Sequence, residues 1–201
     1  MTTVFHGTRA YFRSGIQNGG LGAECLVERF RVAKFLQEGL TVLCEGSMDA
    51  WRSNDSTRHP VIDDFYFIKR AAMQADVSNF NFSHRHPWFS TNKLDAAAYA
   101  KGVPEVLRFG FGLFDALNAA NLVASVRERV FIEHWIPLRA DLEHSEPLVL
   151  GVEMEELPLG NWYRPNGTPL GAWPRPQPFR RIPQQESYEY RGVIPDDKLT
   201  F

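Results

Sequence analysis

Val4-Phe5-His6-Gly7-Thr8 and, roughly eighty residues on, Trp88-Phe89-Ser90-Thr91 decide how this chain reads. Thr2 to Phe5 forms a short apolar strand that runs into His6, Gly7 and Thr8, setting an imidazole beside a glycine backbone. The second stretch is a strand followed at once by an alanine-rich segment ending in Tyr99, which sets an aromatic ring opposite them. Together with a late glutamate, these groups are what a pocket for a planar, cationic ring on a ribose needs.

The rest of the chain bounds this reading. At 201 residues it fits one domain, 1–201, long enough to bury a core. Hydrophobic content of 44% and charged content of 23% are ordinary for a globular protein. A net charge of -2 argues against a broadly basic nucleic-acid surface, leaving only a local patch from Arg175 to Arg181. Cys25 and Cys44 form no CxxC and read as reduced thiols in a cytosolic setting. No run approaches the ~20 apolar residues of a membrane span, so no membrane partner is expected.

Gly15, Gly19 and Gly20 read as a turn-rich stretch. Leu26, Val27, Phe30 and Ala33 predict a helix over 23–38 that stops at Gly39. Residues 40–86 read as an insertion, with a helix over 65–75. Pro87 to Thr91 predicts a strand, and Asn92 is a suitable N-cap for a helix over 93–101, with Asp95 in its first turn. Val106 to Phe111 and Val130 to Ile136 read as strands flanking a helix over 115–126. Leu148, Leu150, Val152 and Met154 alternate cleanly on one strand face. Residues 155–185 hold seven of the thirteen prolines and read as loop, with Trp162, Tyr163 and Trp173 folding it onto the body or contacting an acceptor. The alternation from Glu186 to Tyr190 is a last strand. The expected class is α+β, with two small, mostly antiparallel sheets meeting at a cleft and a helical insertion.

Three blocks together resemble the ADP-ribosyltransferases of the His-Tyr-Glu class, the family of diphtheria toxin and the poly(ADP-ribose) polymerases. The first is Phe5-His6-Gly7-Thr8-Arg9 with Gly15-Ile16 and Gly20-Leu21 behind it. The second is Phe89-Ser90-Thr91-Asn92 followed by Ala96-Ala97-Ala98-Tyr99-Ala100. The third runs from Gln185 and Glu186 through Tyr188 and Tyr190 to Gly192-Val193-Ile194-Pro195. Two departures stand out: the spacing between the first and second blocks is long, and Phe89 occupies a place where many members carry a tyrosine.

The resemblance implies NAD as a substrate and no metal. It implies an NAD site of His6, Gly7, Thr8, Phe89, Ser90 and Tyr99, with Glu186 catalytic. His6 would hold a ribose hydroxyl, the Gly7 backbone the carboxamide, and Tyr99 the nicotinamide ring. Glu186 would set negative charge beside an oxocarbenium-like transition state. Glu189 competes for that role, but residues three apart on a strand point to opposite faces, and Glu186 shares its parity with Tyr188 and Tyr190. The implied activity is mono-ADP-ribosyl transfer to a macromolecule, protein first and nucleic acid second, in a bacterial or phage-borne toxin or effector acting in a cytosol. An NAD glycohydrolase and a binding module without catalysis are the alternatives. His6 alone reads equally as a strand-end cap, and Tyr99 as core. His84 and His86 form a histidine pair without a third ligand at a diagnostic spacing.

Overall fold

The computed structural model describes residues 2–44, 51, 65–74, 86–127, 129–165, 167–170 and 187–201. They fall into two compact units, one of residues 1–25, 83–103 and 142–201, the other of residues 26–82 and 104–141. The class is α+β.

The first unit is built on a five-stranded antiparallel sheet. Its strands are β1 (Thr3–Arg9), β2 (Trp88–Ser90), β3 (Pro147–Glu153), β4 (Trp162–Tyr163) and β5 (Ser187–Tyr190), in the order β3-β1-β2-β5-β4. The alternation read from Leu148 to Met154 is real: Leu148, Leu150, Val152 and Met154 are all buried. β1 runs four residues beyond the expected end at Phe5, because its full length pairs with β3 from Thr3↔Glu153 to Arg9↔Pro147. One sheet stands where two were expected. Its halves, β3-β1 and β2-β5-β4, are nevertheless joined through a single register pair, Phe5↔Ser90.

Helix α1 (Arg13–Gly19) occupies the stretch expected to be turns, and a 3-10 turn over Ala10–Phe12 leads into it. Ile16 is its buried anchor, and Gly20, at φ 89°, ends it. That left-handed conformation suits glycine. It lets Leu21 bridge to Ile194, with N–H···O distances of 2.9 Å in both directions. Helix α5 (Lys93–Ala100) is as predicted: the Asn92 side chain accepts from the Leu94 N–H at 2.9 Å, and Asp95 lies in the first turn.

The second unit is helical where described. Its elements are α2 (Leu26–Arg29), α3 (Val32–Leu43), α4 (Phe65–Gln74), α6 (Glu105–Ala119) and most of α7 (Arg129–His144). The single helix expected over 23–38 is broken at Arg31, whose φ is 50°. Gly39 does not end it. A Cβ there would meet Leu113 Cδ2 at 2.7 Å, so the glycine marks where α6 packs closely on α3. The strands expected over 106–111 and 130–136 are both helical. Val106, Phe109, Leu113, Ala116 and Leu117 bury one stripe of α6, while Leu107 and Phe111 widen it. A short apolar run buried on most sides carries no period that separates strand from helix. In α7, Trp135, Leu138 and Leu142 recur at helical spacing, and Trp135 packs on Phe111 with ring centroids 3.8 Å apart.

Candidate functional site

The site builds from the meeting of β1, β2 and α5 in the first unit. Antiparallel strands alternate between residues that exchange hydrogen bonds and residues that do not. Met154 N–H donates to Thr2 O and Ala10 N–H to Glu146 O, so even-numbered β1 residues bond to β3. Odd-numbered residues, Gly7 among them, turn their N–H and C=O toward the β2 side. Phe5 meets Ser90 there, but the register contains no Gly7–Trp88 pair. Instead the Trp88 carbonyl accepts from His6 Nδ1 at 2.8 Å. The imidazole therefore bridges a break between β1 and β2, and the Gly7 peptide groups face that break.

The same bond fixes the tautomer of His6. A carbonyl only accepts, so Nδ1 carries the proton and Nε2 of the neutral ring is an acceptor. Burial holds the His6 pKa below its ordinary value, partly opposed by the bond to the Trp88 carbonyl, which favours the charged ring. Nε2 has no hydrogen-bond partner among the described residues. The ring leans on Phe89, centroids 5.6 Å apart, and Phe89 packs edge-on to Trp162 at 5.2 Å, which meets Tyr190 at 4.8 Å. This edge-to-face aromatic cluster backs the imidazole on one face of the sheet.

On the other face, α5 lies directly on Gly7. A Cβ at Gly7 would overlap the Ala96 carbonyl and stand 2.9 Å from Ala100 N. The glycine is thus required by the helix, independently of any ligand. Tyr99 lies in the same turn as Ala96 and Ala100, and the residue is 79% exposed. The alternative reading of Tyr99 as a core residue does not hold.

The remaining predicted residues sort by position. Thr8 is half-buried on the His6 face and pairs with Leu148. Phe89 is 1% exposed, so it supports His6 and offers no open face. Ser90 is buried at the start of α5, where its Oγ accepts from Asn92 N–H at 3.0 Å and lies 3.4 Å from Asp95 Oδ2. Glu186 lies outside the described residues, as do His84 and Trp173. Glu189 pairs in register with Trp88 and Tyr163, on the face opposite Phe89 and Tyr188. Its Oε2 accepts two 3.1 Å bonds from Arg191, whose guanidinium stacks 3.8 Å over Tyr163. Glu189 is thereby engaged in an ion pair away from His6.

Sequence reading missed two features. Arg9 is buried and donates to four main-chain carbonyls. The Leu21–Ile194 bridge joins the glycine turn after β1 to the turn after β5. Both depend on partners far along the chain, and neither leaves a local signature. Trp162, expected in a loop, is fully buried in the edge strand β4.

Among the described residues no group of three or more histidine, cysteine, aspartate or glutamate side chains is arranged to hold a metal ion, and no helix is long and apolar enough to cross a membrane. Comparison with protein-family models, with curated proteins and with solved structures finds no match to this chain.

Proposed function

We propose that this chain is an NAD-dependent mono-ADP-ribosyltransferase with a fold of the ADP-ribosyltransferase kind. The observation that carries the reading is the break between β1 and β2, where an acceptor nitrogen on His6 and the turned-out peptide of Gly7 lie side by side. The three sequence blocks that carry the resemblance also converge in one unit: β1 meets β2 at Phe5↔Ser90, β2 meets β5 at Phe89↔Tyr188, and Leu21 bridges to Ile194.

In this reading His6 Nε2 accepts from a ribose hydroxyl of NAD. Gly7 N–H and C=O satisfy the carboxamide, an acceptor and a donor on one planar group. Tyr99 lays its exposed ring on the nicotinamide, a positioning effect. The bond from ribose C1′ to the pyridinium nitrogen then breaks, its electron pair neutralising the departing ring, so no acid is needed for the leaving group. Positive charge grows on C1′ and its ring oxygen, where the carboxylate of Glu186 stabilises it. A nucleophile on the acceptor bonds to C1′ and loses its proton. The acceptor is a protein in the first instance, because the net charge of -2 gives no general attraction to phosphates.

Incubating the protein with labelled NAD and a cell lysate tests the reading. Label that stays covalently on macromolecules after denaturation, sensitive to protease, supports transfer to protein. Nuclease sensitivity moves the acceptor to nucleic acid. Nicotinamide release without retained label makes the enzyme a glycohydrolase, and no release at all removes the reading.

A further inference from the structure

Arg9 has no part in the roles above, yet it is a cation buried to 6% exposure with no carboxylate paired to it among the described residues. Nε donates to Leu142 O at 2.9 Å, Nη2 to Glu143 O at 3.0 Å, and Nη1 to Lys101 O and Ala100 O at 2.9 and 3.4 Å. These carbonyls close the C-terminal ends of α5 and α7, where unsatisfied acceptors and the helix dipole favour a positive charge.

Folding stability alone gives little reason for a guanidinium there. Burying a charge is costly, and well-packed apolar side chains often replace buried ionic groups at no loss. What a guanidinium adds is direction, since its planar fork fixes the positions of several acceptors at once. The contact it governs needs that. Gly7 against Ala96 and Ala100 brings β1 and α5 very close, but such small residues have no projecting side chains to interlock. Side chains around that smooth contact set how far α5 slides along β1, among them the Arg9 fork and the Lys93 ammonium 5.9 Å from the centre of the Phe5 ring. Arg9 is three residues from His6 on one side, and two of its acceptors, Ala100 and Lys101, directly follow Tyr99 on the other.

We propose that Arg9 is a positioning residue that locks α5 in register on β1, so that the Tyr99 ring and the His6 imidazole, which stem from opposite faces of the sheet, both reach the nicotinamide riboside half of NAD at the break between β1 and β2. This rests on the NAD-cleaving reading of the site. Arg9 does not touch the substrate; it acts through Tyr99.

The test is a double-mutant cycle on the full chain, following nicotinamide release at a temperature where every variant is folded. Arg9→Met should lower kcat/KM by about tenfold or more, the scale of a misplaced positioning group. Arg9→Lys, which keeps the charge but not the fork, should fall between it and wild type and serves if Arg9→Met does not fold. Adding Tyr99→Ala to either variant should cost little more, because both changes remove one function. Losses that multiply, or an Arg9→Met variant at wild-type kcat/KM, would overturn the proposal. A second readout is independent of turnover. With Cys25 and Cys44 replaced by serine and a nitroxide at Tyr99→Cys, relaxation of the His6 imidazole resonances reports the separation of label and ring. Arg9→Met should spread that separation. A single unchanged value overturns the role of Arg9, whereas absence of nicotinamide release from wild type overturns only the NAD reading.

Discussion

At the scale of single residues, the proposed site depends on a histidine held neutral. Its folded form disfavours the charged ring, so the stability it contributes is complete above the ordinary imidazole pKa of about 6.5 and declines as pH falls below it, levelling out beneath the lowered folded value. Denaturant unfolding at pH 7.5 and 5.5 should therefore show a smaller loss for His6→Gln than for wild type. Calorimetric titration with NAD should find affinity weakened by about 1–3 kcal/mol in His6→Ala, the cost of an unmade buried hydrogen bond. Tyr99→Ala should cost about 0.5–1.5 kcal/mol, the scale of a ring stack. Unchanged affinity in both variants would remove the site. Glu189→Gln should keep nicotinamide release while lowering stability, because it weakens the Arg191 pair and alters a carboxylate only 2% exposed. The Asn92 cap was legible because its partner is two residues away. The clamp of Arg9 was not, since its four acceptors lie more than ninety residues off along the chain.

At the scale of elements, alternation and caps survive where one face is buried and the other open, as in β3 and α5. They fail where burial is nearly all-round. The segment 106–111 looks like a strand because Val106, Leu107, Phe109 and Phe111 leave no polar face to reveal the helical period. Gly39 looks like a stop because the sequence carries no sign of Leu113 pressing on it. Gly7 belongs to the same class, being a packing glycine as well as a candidate ligand. Gly7→Ala should push α5 off β1 and cost about 1–3 kcal/mol, the usual range for overpacking, with NAD affinity falling too. Asn92→Ala should cost about 1 kcal/mol through the lost cap and leave affinity nearly intact. Thermal melts with parallel NAD titrations separate the two. Equal effects on affinity would break the argument that the α5–β1 contact, and not helix stability, shapes the site.

At the scale of the whole molecule, the chain resolves into two compact units, and every described residue of the candidate site lies in the one built on the sheet. The other unit takes in residues that read as an insertion, and it also recruits α6 and most of α7, which sequence alone assigned to the main body. The near-division of the sheet into β3-β1 and β2-β5-β4 could be anticipated only as two separate sheets, because the Phe5↔Ser90 pair that joins them has no local signature. In the proposed reaction the break beside that pair holds NAD while Glu186 stabilises the positive charge that grows on the ribose as the bond to nicotinamide breaks. The most direct measurement is free nicotinamide, quantified by chromatography after incubating NAD with the wild-type protein and with Glu186→Gln. Wild type should release nicotinamide with time and Glu186→Gln only near background, with NAD affinity retained because the lost charge acts mainly in the transition state. Equal release by both proteins, or none by wild type, would contradict it.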